Sequence, residues 1–123
     1  MPQLPTILVV DDHPDIRRLL AVVLSREFHV LEADNAPHAL EAIRKHRPRA
    51  VLLDVMMPGD RDGLDVLKEV KASPELRDTL VAMVTARGQT ADSEDARQHG
   101  ADAYFIKPFS PLQVLAWLRI AVK

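Results

Sequence analysis

Five short apolar runs, each too short to be a helix, recur along the chain and alternate with stretches of helical period. They are Ile7–Val10, Phe28–Ala33, Ala50–Leu53, Leu80–Val84 and Ala103–Ile106. Between the first two, Asp15 to Arg26 carries Ile16, Leu19, Leu20, Val23 and Leu24 at amphipathic-helix spacing, with Pro14 in the first turn and Asp12 or His13 as cap. Asn35 to His46 turns Ala39, Leu40 and Ile43 inward, and Leu64, Val66, Leu67 and Val70 mark a third helix closed by Ser73-Pro74. Gln89 to His99 reads as a polar helix ended by Gly100 in the left-handed region, and Ser110 caps a last helix from Pro111 to Val122. Strands alternating with helices in this way predict an α/β fold: a doubly wound parallel sheet of five strands and five helices.

In such a sheet ligands bind outside the carboxyl ends of the strands, where the strand order reverses. The buried-strand pattern Ala50–Leu53 runs straight into Asp54, and the breaker Pro58-Gly59 follows. Asp11 and Asp12 leave the first strand, Thr85 the fourth and Lys107 the fifth. Singly these are ordinary residues: an aspartate that caps a helix, a β-branched strand residue, a solvated lysine. Together at one sheet edge they form a specific set.

Three carboxylates brought within a few ångströms repel one another, so a cation or raised pKa values must relieve them. An all-oxygen donor set favours Mg²⁺ over zinc or copper. Lys107 adds a point positive charge, and the Thr85 hydroxyl can donate to a phosphoryl oxygen. A carboxylate between a metal and a lysine is arranged to accept a phosphoryl group by in-line attack, which nominates Asp54.

The remaining composition narrows the classes. A chain of 123 residues is read as one domain, 1–123, able to bury a core unaided. With no cysteine there is no disulfide framework and no thiolate chemistry. A net charge of −2 gives no basis for direct nucleic-acid binding. Apolar runs such as Leu19–Leu24 cannot span a bilayer, and Met1–Thr6 lacks a secretory signal, so a cytoplasmic location without membrane association is expected.

Four blocks carry a resemblance: Ile7-Leu8-Val9-Val10-Asp11-Asp12, Leu52-Leu53-Asp54-Val55-Met56-Met57-Pro58, Val84-Thr85-Ala86, and Gly100 through Lys107-Pro108-Phe109. In order and spacing the chain resembles the receiver domain of two-component response regulators over essentially its whole length. The resemblance implies a flavodoxin-like (βα)5 sheet in strand order 2-1-3-4-5. It implies Asp54 as phosphoacceptor; Asp11, Asp12, Asp54 and the Met56 backbone carbonyl as Mg²⁺ ligands; and Lys107 as the phosphate-binding lysine. Thr85 and Tyr104 become the switch pair, Ala86 a backbone donor to the phosphoryl group, and Met56 and Arg87 the positions that tune hydrolysis. The Lys107-Pro108 bond is expected to be cis. The implied partners are a sensor histidine kinase or histidine phosphotransfer protein, and a downstream protein meeting the fourth helix, fifth strand and last helix. No output domain is expected in the chain, which is either a single-domain regulator or a receiver from a longer protein.

Two departures from the family pattern stand out. Asp62-Gly63 follows the acceptor one residue later than in relatives, so the Gly59-Asp60-Arg61 loop is longer. Ala103 replaces the Asp that often precedes the switch aromatic in receivers that dimerise to bind DNA. Met56 cannot orient a water, which predicts a long-lived phosphorylated form.

A Mg²⁺ phosphohydrolase is a competing reading, but its second acid is missing at Met56. A flavodoxin-like nucleotide module is another, but Asp11-Asp12-His13-Pro14 would repel phosphate there. A receiver that is never phosphorylated is a third reading, although every catalytic residue is present. His13, His29, His38, His46 and His99 read as solvated or capping residues. The last helix has two apolar stripes, Leu112/Leu115/Leu118/Val122 and Val114/Trp117/Ala121. One packs on the sheet and the other is available to a partner, with Trp117 either an exposed anchor or folded back onto the fourth helix.

Overall fold

The β-branched runs pair into one five-stranded parallel sheet, numbered along the chain in the order 2-1-3-4-5, as expected. The computed structural model describes residues 4–57, 59–86 and 97–122. The strands are β1 (Thr6–Val10), β2 (His29–Ala33), β3 (Ala50–Asp54), β4 (Leu80–Ala86) and β5 (Ala103–Lys107). The described helices are α1 (Pro14–Leu24), α2 (Ala36–His46), α3 (Gly63–Ala72) and the C-terminal α4 (Pro111–Ala121). Most of the helix expected over Gln89–His99 lies outside the described residues. Arg97 and Gln98 are helical, and Gly100 takes the positive φ of 92° expected of it. None of the described helices is long and apolar enough to cross a membrane.

Period-two alternation splits the strands between two cores. Leu8, Val10, Val51 and Leu53 face Leu40, Ile43, Leu67 and Val70 of α2 and α3. Ile7, Val9, Ala50 and Leu52 face Leu20, Leu24, Val114 and Leu118 of α1 and α4. Because β1 and β3 are buried on both faces, they read as unbroken apolar runs rather than alternating ones. Each such leucine or isoleucine contributes about 1.5–3 kcal/mol by leaving water.

Local chemistry fixes the helix starts. Asn35 caps α2 by accepting from the His38 amide at 2.8 Å, and Arg47 ends it in the left-handed region at φ 48°. Asp62 and Asp65 form a reciprocal capping box at α3, with bonds of 2.9 and 3.1 Å. Ser110 occupies the cap position of α4 but makes no side-chain cap bond.

On α4 the two-stripe reading needs correction. The packed face combines Val114, Leu115, Leu118 and Val122, while Leu112 of the first stripe is 68% exposed. Trp117 is partly buried and packs edge-on against Phe105 of β5 at 6.1 Å between centroids, while the fourth helix expected as its alternative partner lies largely outside the described residues. Leucine and tryptophan are equally apolar to a periodicity count, so only the packing partner distinguishes them. Leu112 and Ile120 are the large exposed apolar residues of this helix.

Candidate functional site

Register decides which strand-end residues meet. Val10 pairs with Leu53, so Asp11 and Asp54 leave the sheet side by side. Asp54 pairs with Val84, which places Thr85 one residue beyond it, and Ala86 pairs with Lys107. Asp11, Asp54 and Thr85 are buried, each at 3% exposure or less. Lys107 reaches back over the edge, with Nζ 3.0 Å from Asp54 Oδ2 and 3.2 Å from Asp11 Oδ2. Asp54 Oδ1 accepts from the Met56 amide at 3.1 Å, which orients the carboxylate.

The electrostatics follow from this geometry. Burial pushes the Asp54 carboxyl above its usual range; the Lys107 hydrogen bond opposes the shift and the Asp11 charge adds to it. Burial alone would lower the Lys107 ammonium. The hydrogen bond and charge of Asp54, helped by Asp11, outweigh it and hold Lys107 above its ordinary value. Two buried carboxylates thus share one lysine, and the edge has capacity for more positive charge.

Asp11, Asp12, His13 and Asp54 each offer a donor atom, all within 4.8 Å of one another. Asp12 Oδ1 is a buried atom with no hydrogen-bond partner among the described residues. His13 Nδ1 lies 3.1 Å from it but makes its hydrogen bond, at 2.9 Å, to Asp11 Oδ1. An orphaned carboxylate oxygen beside two other carboxylates fits a hard divalent cation.

Met56 stands with its side chain 59% exposed at the edge. Tyr104 is half-buried against the α2–α3 core, its hydroxyl enclosed and the Arg97 guanidinium 5.6 Å from its ring centroid. Burial raises the Tyr104 hydroxyl above its ordinary value, with Arg97 opposing. The Lys107-Pro108 bond is cis, as expected. Arg87 lies outside the described residues.

With this edge established, comparison with known proteins becomes specific. The family model of the response regulator receiver domain matches residues 7–119. The chain belongs to that family. The receiver is 39% identical over 110 residues to the transcriptional regulatory protein SrrA of Staphylococcus aureus. That match covers 89% of this chain and 44% of SrrA, so the chain spans under half of that relative. Among solved structures it is similar to the receiver domain of NtrX from Brucella abortus, at TM-score 0.83 and 39% identity, covering 94% of this chain and 97% of that one. The chemotaxis response regulator CheY4 of Vibrio cholerae superposes at TM-score 0.87 and 26% identity over 97% and 99% of the two chains. Two-component signalling is therefore the setting of this domain.

Three residues make contacts near the edge that the sequence reading did not foresee. His13 occupies the N-cap position just before α1, as a cap reading expects, yet its ring makes no cap bond and joins the acidic cluster instead. Its signal was direct adjacency to Asp11-Asp12. Arg17 donates to the Asp11 carbonyl oxygen at 2.7 Å and to Glu32 at 3.3 Å, bracing the β1 end from α1. Gly63 donates its amide to the Val55 carbonyl at 3.0 Å, directly behind Asp54. The longer loop before it is tied down where Arg61 meets Glu69 of α3 at 2.6 Å.

Proposed function

We propose that the domain accepts a phosphoryl group on Asp54 from a phosphohistidine of a sensor histidine kinase or histidine phosphotransfer protein, or from a small acyl phosphate. The observation that carries this reading is the buried Asp54 carboxylate held between Lys107 and Asp11 at the open edge of the sheet. An Asp54 oxygen attacks phosphorus as the donor P–N bond breaks, and the leaving imidazole takes up a proton. Lys107 then follows the charge from the free carboxylate to the phosphoryl oxygens. The Thr85 hydroxyl and the Ala86 amide donate to those oxygens, and the Met56 amide keeps Asp54 oriented.

Asp11, Asp12, Asp54 and the Met56 carbonyl would hold Mg²⁺, which when bound supplies charge neutralisation for the transferring group. Asp12 Oδ1, buried and unpartnered among the described residues, supports this assignment. Thr85 closing on the phosphoryl group and Tyr104 turning with it would shift a pre-existing equilibrium of the segment between β4 and β5, of β5 and of the C-terminal α4, presenting a changed surface to a downstream protein. The domain is a signalling element that assists its own phosphorylation and dephosphorylation rather than a turnover enzyme. The exposed Met56 side chain offers no group to orient water, so the phosphorylated form should persist.

Intact-mass measurement with an acyl-phosphate donor tests this reading. Wild type should gain one phosphoryl group only with Mg²⁺, and Asp54→Ala none. Donor turnover without an adduct would favour the hydrolase instead.

A further inference from the structure

His13 stands out because it is a nitrogen donor inside a carboxylate cluster. Its ring Nδ1 is 2.9 Å from Asp11 Oδ1 and 3.1 Å from Asp12 Oδ1. The His13 backbone amide also donates to Asp11 Oδ1 at 2.8 Å, so the residue is anchored at the site from two directions. Its side chain is 61% exposed and makes no cap hydrogen bond to α1, so the ring is not committed to holding the helix. With no cation present Nδ1–H donates to the carboxylates; with a cation seated among them, moving the ring hydrogen to Nε2 turns the Nδ1 lone pair onto that cation.

Oxygen-only sites discriminate poorly in favour of late divalent ions, whereas an imidazole donor raises affinity along the series from Mn²⁺ to Zn²⁺. Mg²⁺ gains little from nitrogen and keeps its waters. Resting on the reading of Asp11, Asp12 and Asp54 as cation ligands, we propose that His13 is an additional ligand that tunes this edge toward borderline divalent transition ions such as Co²⁺ and Zn²⁺. The receiver would then be loaded by whichever of Mg²⁺ and these ions prevails in concentration and affinity. His13 is the residue that sets the ratio.

The test is calorimetric titration of the metal-free full chain with Mg²⁺ and with Co²⁺, counting the Co²⁺ that Mg²⁺ displaces, for wild type, His13→Ala and Asp12→Ala. Wild type should lose about tenfold or more in Co²⁺ affinity on His13→Ala, with Mg²⁺ affinity changed by less than about twofold. Pulsed electron paramagnetic resonance of the Mn²⁺-loaded protein should show imidazole nitrogen coupling in wild type and none in His13→Ala. Unchanged Co²⁺ affinity, or a parallel loss of both ions without nitrogen coupling, would overturn the proposal and leave His13 as a residue that orients Asp11. Loss of both ions in Asp12→Ala with normal binding in His13→Ala would reject His13 while sustaining the cation site. Absence of any ion binding in wild type would reject the site itself.

Discussion

Gly63 stands directly against the backbone of Asp54: a Cβ added at Gly63 would lie 2.2 Å from the Asp54 carbonyl oxygen and 2.9 Å from its carbonyl carbon. The start of α3 therefore acts as a backstop for the strand end that carries the candidate acceptor. The Gly63 amide bond to Val55 fastens the two segments together. The longer loop keeps this contact because the capping box at Asp62 and Asp65 fixes where α3 begins.

Replacing Gly63 with Ala forces backbone against backbone, a contact that no side-chain rotamer can relieve. We predict a loss of about 1–3 kcal/mol in urea unfolding, as for overpacked sites. Phosphoryl uptake should slow as well, because the β3 end must shift. Wild-type stability in Gly63→Ala would show that the loop yields instead.

Lys107 Nζ lies within 3.2 Å of both Asp54 and Asp11. Lys107→Ala should lower the melting temperature of metal-free protein, corresponding to about 1–3 kcal/mol for stranding buried acceptors. Mg²⁺ should then raise it more than in wild type, since bound ion stabilises the folded state by about 2.7 kcal/mol at a hundred times its Kd. Differential scanning fluorimetry with and without Mg²⁺ measures both effects.

Much of this is legible in the sequence, and the reasons differ by element. β1 and β3 announced themselves because strands buried on both faces are apolar throughout, and their polar ends fell at one edge once the sheet was parallel. The strand order came from the family resemblance, since periodicity is silent on order. Gly63 was invisible as a contact because it meets Asp54 through space, nine positions away. Trp117 was ambiguous because a helix apolar on more than one face does not declare which side meets Phe105. His13 read as a cap, and sits as one, but its ring direction is a tertiary fact.

The α4 packing yields its own contrast. Leu118 is fully buried, whereas Leu112 is 68% exposed. Leu118→Ala should cost about 2–5 kcal/mol. Leu112→Ala should stay within about 0.5 kcal/mol. Equal effects in urea midpoints would contradict the corrected helix face.

Glu69 connects the longer loop to α2 and α3 through Arg61 and Arg44. The Arg61 hydrogen bond, with Arg44 adding and slight burial opposing, holds its carboxyl below the ordinary 4.5. A carboxyl depressed in the folded state stabilises the fold above its unfolded pKa, and that stability is lost as pH falls through the folded value. The partners are partly exposed, so the effect is about 0.2–1 kcal/mol. Glu69→Gln should flatten the acid limb of the melting temperature against pH below 4.5 and leave it parallel to wild type at neutrality.

The central claim is that Asp54 itself carries the phosphoryl group. Borohydride reduction of the Mg²⁺- and acyl-phosphate-treated protein converts an aspartyl phosphate to homoserine, which peptide mass spectrometry locates. The account predicts homoserine at position 54 alone, dependent on Mg²⁺. A phosphoryl group found on another residue, or homoserine elsewhere in the chain, would contradict it.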